Sequence, residues 1–466
     1  MPAAYRVKSE GNQVLLWIKD QDAKTQRVGR GLVLRPSSLQ EVIDARPAVV
    51  VAYQTCEEAT QCARAGLRTW GCSTDSLAME RDRMAGINLA KTYGLGTVPE
   101  THEFTSINEA LGFTDHTDKE QWVLKCSGKV ATSTTQVCED RKQLRELLRS
   151  AGPKADTFVL QEKIEGVEVS TEGWYDYRQG WIPGSLNSTF ERKRLMVGDV
   201  GPMTGAMGSI VFPWRGKSPR LWTETLEPIT PYLRQIKYTG PLDVNAIVTP
   251  SGPYFLEFTP RLGWDAFCAF MAGYSGSIGD FLVALGRGDS DTVGFATDFM
   301  GAVRVTIPEA SGVPLMAPWK QSPRNYMLGA VYHDGRILRS TGLDTDAHMT
   351  TAFEVGAIGD SIGEVRNHIY KRFIPKIMVP DITYRDDIGE QAERDLYALA
   401  ALGYEVPLPA AVDIAMPVNY SMESRRSARR GDKSWAQPSS TSLPTPKQTG
   451  WTRRLFARLI GIPHTF

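Results

Sequence analysis

Cysteine and histidine are scarce: six of each are spread over 466 residues. Cys56, Cys62, Cys72, Cys126, Cys138 and Cys268 never form a CxxC pair, so the chain offers no pattern for a structural zinc site or a disulfide framework. Reduced thiols in a cytoplasmic setting are the expectation. A surplus of charge is also missing, with 53 Lys and Arg against 53 Asp and Glu. No whole-chain field draws the molecule to nucleic acid, whereas a small anion needs only local cations. No GxGxxG follows the first expected strand, which leaves a dinucleotide fold unsupported. The start, Met1-Pro-Ala-Ala-Tyr-Arg-Val7, lacks an apolar signal core, and no run of about 18 apolar residues occurs. The chain reads as soluble, with no membrane partner.

What is present is enough apolar material, 42% of residues, for roughly three domains. Residues 1–75 read as a small α/β unit with strands at Val14–Ile18 and Ala48–Tyr53, a helix from Glu57 to Gly66 and a further strand by Gly71. A helix is expected from Ser76 to Tyr93, before Gly94, Gly96 and Pro99 break it. Between residues 122 and 160 the order is strand (Gln121–Lys125), polar loop (128–135), helix (Asp140–Arg149) and strand (Thr157–Gln161). That order suits an α+β nucleotide site better than a β-sandwich. A strand at 253–258 and an apolar helix from Trp264 to Tyr274 close the central region, 76–300. Residues 301–405 read as strand-rich, with Tyr326–Tyr332 as one strand, a turn at His333–Arg336 and a final helix ending at Ala401. From 406 to 466 the composition turns to Arg, Ser, Pro and Thr, including Arg425–Arg430 and Ser439–Pro446, which predicts disorder. Trp451–Ile460 within that tail has the pattern of a short basic amphipathic helix, and the tail is the one place where nucleic acid contact is expected.

The chemistry concentrates in Tyr254-Phe-Leu-Glu-Phe-Thr-Pro-Arg-Leu-Gly263. Glu257, Thr259 and Arg261 stand at alternate positions, so an extended backbone turns all three to one side. Glu257 can give magnesium the hard oxygen it requires, and Arg261 can neutralise a transferring phosphate or pair with a nearby carboxylate. Lys125 ends a mostly apolar strand, where an ammonium needs an anion or water. Backbone amides and hydroxyls of the 128–135 loop can cover phosphates, or form a surface turn. In Gln161-Glu-Lys-Ile-Glu-Gly-Val-Glu168 a strand pauses and resumes. Gln161 and the backbone at Ile164 can pair with a purine ring, and Glu168 with ribose hydroxyls. Arg192, Lys193 and Arg194 precede a run with glycine at 201, 205 and 208, and strand alternation sends two of these cations one way and one the other.

Taken in order, the 161–168 segment, Lys193-Arg194 through Gly201-Pro-Met-Thr-Gly-Ala-Met-Gly208, the 254–263 segment and Tyr384-Arg-Asp-Asp-Ile-Gly389 resemble the ATP-grasp superfamily. Within it they resemble the phosphoribosylamine-glycine ligase (glycinamide ribonucleotide synthetase) branch, over roughly residues 45–400. The resemblance implies an α/β and α+β multidomain chain with an ATP-grasp fold: an N-terminal α/β domain, a small lid, a central ATP-clasping region and a strand-rich C-terminal domain. It implies that Arg83, Lys125, Gln161, Ile164 and Glu168 bind ATP, and that Glu257, Thr259 and Asn245 hold Mg2+, with Mn2+ as an alternate ion. Lys193, Arg194 and Arg261 would face the phosphates and an acyl phosphate.

The family pattern Glu-Phe-Asn-x-Arg-Phe-Gly-Asp-Pro-Glu reads here Glu257-Phe-Thr-Pro-Arg-Leu-Gly-Trp-Asp-Ala266. Thr259 stands where a metal-binding asparagine is usual, and Asp243 or Asn245 is a substitute ligand. The phosphate-binding turn Gly-Ser-Gly-Gly-Arg-Glu-His is missing from the N-terminal region. Such drift is similar to that of ligases predicted in bacteriophages, where nucleotide or DNA-base modification is the setting and the host cytoplasm the location. The expected activity is ATP-dependent joining of a small carboxylate, glycine or another amino acid, to an amine-bearing nucleotide or sugar phosphate, by a monomer or homodimer. The competing expectation is a catalytically degenerate ATP-binding regulator or scaffold.

Overall fold

Helix Pro2–Ser9 opens the chain with proline at its first position, where a missing N–H removes no helical bond. The computed structural model describes residues 1–53, 56–127, 135–150, 156–215, 219–289, 293–295 and 297–408. The loop residues 128–134 and the basic tail beyond 408, with its expected helix at Trp451–Ile460, lie outside the described residues. Strands β1 (Val50–Ala52) and β2 (Thr69–Gly71) pair in parallel around helix Cys56–Arg64. Val14–Ile18 does not form the expected strand. Only Leu15 makes a bridge, to Leu34, because β1 and β2 pair with each other alone and leave this segment no ladder.

The expectation of reduced thiols fails for one pair. Cys56, at the head of the helix, and Cys72, just past β2, form a disulfide with Cα atoms 5.4 Å apart. Their separation of 16 residues carried no motif. The strand–helix–strand geometry is what brings them together. Cys62, Cys126, Cys138 and Cys268 are free and buried.

The helix expected over 76–93 is two helices, Thr74–Arg81 and Arg83–Tyr93, each with its own cap. Ser73 accepts from the Ser76 amide, and Asp82, in an extended conformation, accepts from the Ala85 amide at 2.9 Å. These are the side-chain acceptors that satisfy the free N–H groups of a first helical turn. The second helix ends at Gly94 in the left-handed conformation.

Strands β3 (Thr101–Phe104), β4 (Trp122–Ser127), β5 (Thr135–Cys138) and β6 (Thr157–Glu162) form an antiparallel sheet in the order β3-β6-β4-β5. Helices Ile107–His116 and Arg141–Ser150 supply Ala110, Leu144 and Leu148 to a core with Trp122, Leu124 and Phe158. Leu144 and Leu148, four apart, lie on one helical face.

The largest sheet takes β7 (Val167–Asp176), β8 (Gly180–Trp181), β9 (Asn187–Met196), β10 (Val200–Pro213), β11 (Thr239–Thr249), β12 (Gly252–Thr259) and β13 (Phe299–Pro308). After β14 (Ser311–Leu315), the strands β15 (Tyr326–Leu328), β16 (Val331–His333), β17 (Leu338–Thr341) and β18 (Met349–Gly359) complete the C-terminal region. The sheet order is β12-β11-β7-β9-β10-β13-β18-β15 with β8 beside β7, and β14-β17-β16 form a separate sheet. The strand expected over Tyr326–Tyr332 therefore splits between two sheets. At its break Gly329 lies so close to the Thr351 carbonyl oxygen that a Cβ would collide with it.

Alternation divides the large sheet into two unlike faces. Val169, Phe190, Ile210, Val303 and Val355 point to one side and build the main core. On the other side, Trp174, Val211, Met300 and Ala302 pack under helices Trp264–Gly273 and Ile278–Arg287. The register puts Ser170 opposite Thr189 and Asn245, Asn245 opposite Glu257, Asp243 opposite Glu172 and Thr259, and Arg304 opposite Glu354. All of these share the second face. It is polar wherever those helices leave it open, and it holds the candidate site. No helix among the described residues is long and apolar enough to cross a membrane.

Candidate active site

Three cations meet one carboxylate at this polar face. Arg83, the first residue of its helix, pairs through Nη1 with Glu257 on β12. Lys193 on β9 reaches Glu257 at 3.7 Å, Glu168 at 3.7 Å and Glu191 at 3.4 Å. Lys125, near the end of β4, is 7% exposed and donates to Gln161 Oε1 at 2.8 Å. Burial brings the Lys125 pKa down to about 8 even though Glu257 opposes the shift. Burial would likewise raise Glu257, but Arg83, Lys193 and Lys125 override it and hold the carboxyl well below its ordinary range. Burial disfavours charge on Lys193, and Glu191, Glu168, Glu257 and Asp243 outweigh that effect, so its pKa rises.

Two local devices set this geometry. The break at Asp82 lets the chain turn so that Arg83 begins a new helix facing β12. Ser127 spans the break, with Oγ accepting from the Arg83 amide at 3.2 Å and donating to the Arg81 carbonyl at 3.4 Å. Gln161 is fully engaged as well. Its carbonyl takes Lys125 and its amide nitrogen donates to Thr101 Oγ1 at 3.1 Å. The Gln161 side chain, expected to pair with a purine ring, here positions Lys125 against Thr101. Ile164 lies in the extended linker between β6 and β7, and Glu168, at the exposed edge of β7, stands one strand from Lys193.

The 254–263 segment divides after β12. Glu257 and Thr259 share the polar face, whereas Arg261, past the strand end, is held by Glu80 through Nε at 3.0 and 3.2 Å and Nη2 at 2.8 Å. Burial would lower the Arg261 pKa, and Glu80 raises it. The carboxylate pairing open to Arg261 from sequence is the one observed. Asn245 Oδ1 accepts from Ser170 Oγ at 2.6 Å, directly across the ladder from Glu257. Glu257, Asn245 and Thr259 offer only hard oxygens on one face, which suits Mg2+.

One expected residue is misplaced. Arg194 points away from Lys193, as strand alternation requires, and donates to the Gly201 carbonyl at 2.8 Å inside the β9–β10 hairpin. Arg192 shares that outer side and pairs with Asp395 at 2.9 Å. Lys193 alone of the three cations enters the cleft.

Several residues at the face were not singled out from sequence. Glu80 is one, although it stands three residues before Arg83. Glu172 and Glu191 are two more, and with Asp243, already named as a substitute ligand, they form an acidic floor in which burial raises the pKa of each. Further along the sheet, Arg304 on β13 lies 3.3 Å from Glu354, 3.5 Å from Asp265 and 3.8 Å from Asp346, with the Trp264 ring 5.0 Å away. Burial and the neighbouring Asp265 raise Glu354 well above the ordinary carboxyl range. The readable signal for this cluster was a lone arginine inside the apolar run Phe299–Pro308.

Residues 83–266 match the family described as phosphoribosylglycinamide synthetase, ATP-grasp (A) domain. A phosphoribosylamine–glycine ligase of Caldanaerobacter subterraneus subsp. tengcongensis is 26% identical over 354 residues, covering 70% of this chain and 79% of that protein. The human trifunctional purine biosynthetic protein adenosine-3 is 25% identical over 386 residues, which are 75% of this chain and 35% of that protein. Among solved structures, phosphoribosylamine–glycine ligase of Thermotoga maritima superposes with a TM-score of 0.63 at 18% identity, over 83% of this chain and 96% of the other. The biotin carboxylase domain of Hydrogenobacter thermophilus 2-oxoglutarate carboxylase, solved with MgADP and bicarbonate, gives 0.57 at 11% identity, over 82% and 89%.

Proposed function

We propose that this chain, which has an ATP-grasp fold and an ATP-grasp domain homologous to that of phosphoribosylamine–glycine ligases, is an ATP-dependent carboxylate–amine ligase. The observation that carries the reading is the convergence of Arg83, Lys125 and Lys193 on Glu257. Such a cluster is arranged for a polyphosphate and its metal. Mg2+, held by Glu257 with Asn245 and Thr259 beside it, would draw charge from the phosphate oxygens when bound. Lys125, Arg83 and Lys193 stabilise the charge that develops as the γ-phosphoryl group moves.

In the first step a substrate carboxylate oxygen bonds to the γ-phosphorus and the bond to the β-bridging oxygen breaks, releasing ADP. In the second, an amine nitrogen bonds to the acyl carbon, the bond to phosphate breaks, and the amine gives up a proton. Alignment and exclusion of water do most of the work, since no covalent nucleophile from the chain is required. The carboxylate is a small one, glycine or another amino acid. Thr259 and Trp264 mark a substrate range shifted from that of the relatives.

The test is to incubate protein, ATP and Mg2+ with pooled amino acids and amines while following ADP and amide by mass spectrometry. Substrate-dependent ADP with a matching amide is expected. ATP binding with no such ADP over a broad panel would instead favour a regulatory ATP-binding protein, the reading to which Thr259 lends support. Glu257→Gln should abolish Mg2+-dependent turnover while nucleotide binding persists, and unchanged turnover would remove Glu257 from the metal site.

A further inference from the structure

Beside the small sheet β14-β17-β16 lies an open cleft of about 600 Å3 that shares no residue with the Glu257 site. A volume of that size suits a small organic molecule. Leu315 at the end of β14, Leu338 at the start of β17 and Trp319 make its buried lining. Tyr5 meets the Trp319 ring edge-on at 5.2 Å and the His333 ring stands 6.2 Å from it, which fixes the indole in place. The rest of the apolar lining is open to solvent: Met316 is 51% exposed, Met378 64% and Ile337 36%. The Met378 amide donates to the Met316 carbonyl at 2.9 Å, so two adaptable thioethers stand on adjoining backbone. One such side chain needs no explanation, whereas three around a single cleft form a patch.

Charge at the cleft is of one sign. Lys320, Arg336 and Lys376 line it, and among the described residues no Asp or Glu does. All three cations are exposed, and none of them makes an ion pair among the described residues. Lys320 Nζ lies 5.0 Å from the Trp319 ring, its only close partner. The acidic residue nearest to Arg336 along the chain, Asp334, is spent on the Arg339 guanidinium and on the amides of Arg336 and Ile337. In a chain whose charges balance at 53 against 53, three cations without carboxylates around an apolar cleft are a local excess.

We propose that this cleft is a second ligand site, separate from the ligase centre, for a small free dianion with an aliphatic body, of the class of alkyl phosphate monoesters. The aliphatic part covers Met316, Ile337 and Met378, and the head pairs with the cations at the rim. Three cations and no acid call for more than one negative charge. A flat aromatic body would find no free ring to stack on, because the Trp319 ring is taken by Tyr5, His333 and Lys320. The run Arg425–Arg430 of the chain itself carries the same sign as the rim.

Octyl phosphate, a dianion at about pH 7.5, tests the idea by calorimetric titration into the full chain. Octyl glucoside keeps the aliphatic body without the charge, and inorganic phosphate keeps the charge without the body. Octyl phosphate should bind at least about tenfold tighter than either. The double variant Arg336→Ser, Lys376→Ser should weaken it about tenfold while ATP affinity stays unchanged, which separates this cleft from the phosphate-binding centre. Equal binding of octyl glucoside would leave apolar adhesion alone, equal binding of inorganic phosphate would leave charge alone, and undiminished binding by the double variant would place the ligand elsewhere. Each of these overturns the proposal, as does no binding of octyl phosphate. Sedimentation with vesicles of phosphatidylcholine and phosphatidate should be the same for wild type and the double variant. A loss in the variant would make this face a membrane contact and overturn the free ligand.

Discussion

Lys125 separates a poised phosphate ligand from an ordinary buried lysine, and its pH behaviour can be followed directly. Its ammonium bonds to Gln161, and burial brings its pKa to about 8. A bound polyphosphate favours the charged form, so binding above pH 8 must draw a proton from solvent. ATP affinity should then weaken by about a decade per pH unit above 8, or about 1.4 kcal/mol per unit. Stability should move the opposite way. The folded pKa lies below the unfolded value of 10.5, so the cost of the buried charge is present in full below pH 8. As pH rises from 8 toward 10.5 the folded chain loses the proton first, and stability climbs by up to ~3 kcal/mol. Calorimetric ATP titrations from roughly pH 7 to 9.5 would show the first effect, and urea unfolding of wild type against Lys125→Met the second. Lys125→Arg, charged throughout, should bind ATP with little pH dependence. A wild-type affinity that is flat over this range, indistinguishable from Lys125→Arg, would refute the reasoning.

Removing Glu80 by Glu80→Gln leaves Arg261 mostly buried without its partner, and a loss of about 2–3 kcal/mol is expected in urea unfolding, less than for a fully buried pair. Lys193→Ala should lower kcat by about a hundredfold or more, whereas Arg194→Ala should stay within about threefold, since only Lys193 enters the cleft. Comparable losses in both would contradict the alternation. Reduction of Cys56–Cys72 should cost up to about 3 kcal/mol, the value for a loop of this length. Alkylation of denatured, unreduced protein should label four cysteines, and labelling of six would show the bond absent.

The parts of the fold legible from sequence were those with a strong local period or a motif. The strands ending near Lys125 and Gln161, the helix at Trp264 and the strand carrying Glu257 all form where expected. Lys125, Lys193 and Glu257 stand on strands more than 60 residues apart in sequence, and each was marked by a charge set in a strand pattern. What could not be read was pairing at a distance. No local rule tells that Gln161 will spend its amide on Lys125 and Thr101, that Glu80 will hold Arg261, or that Cys56 will meet Cys72. The split of the helix at Asp82 was legible in principle, since Asp82 is a capping residue directly before Arg83. The continuous helical pattern on either side obscured it. Val14–Ile18 had the composition of a strand and lacked a neighbour to pair with.

The hydroxyl of Ser127 has a mechanical consequence. It grips the chain on both sides of the helix break, and it sits two residues beyond Lys125 on the same strand. Arg83 and Lys125, distant in sequence, are thereby coupled to one strand end. A tilt of that strand would carry both cations relative to Glu257 as a pair, with Lys193 left in place on its own strand.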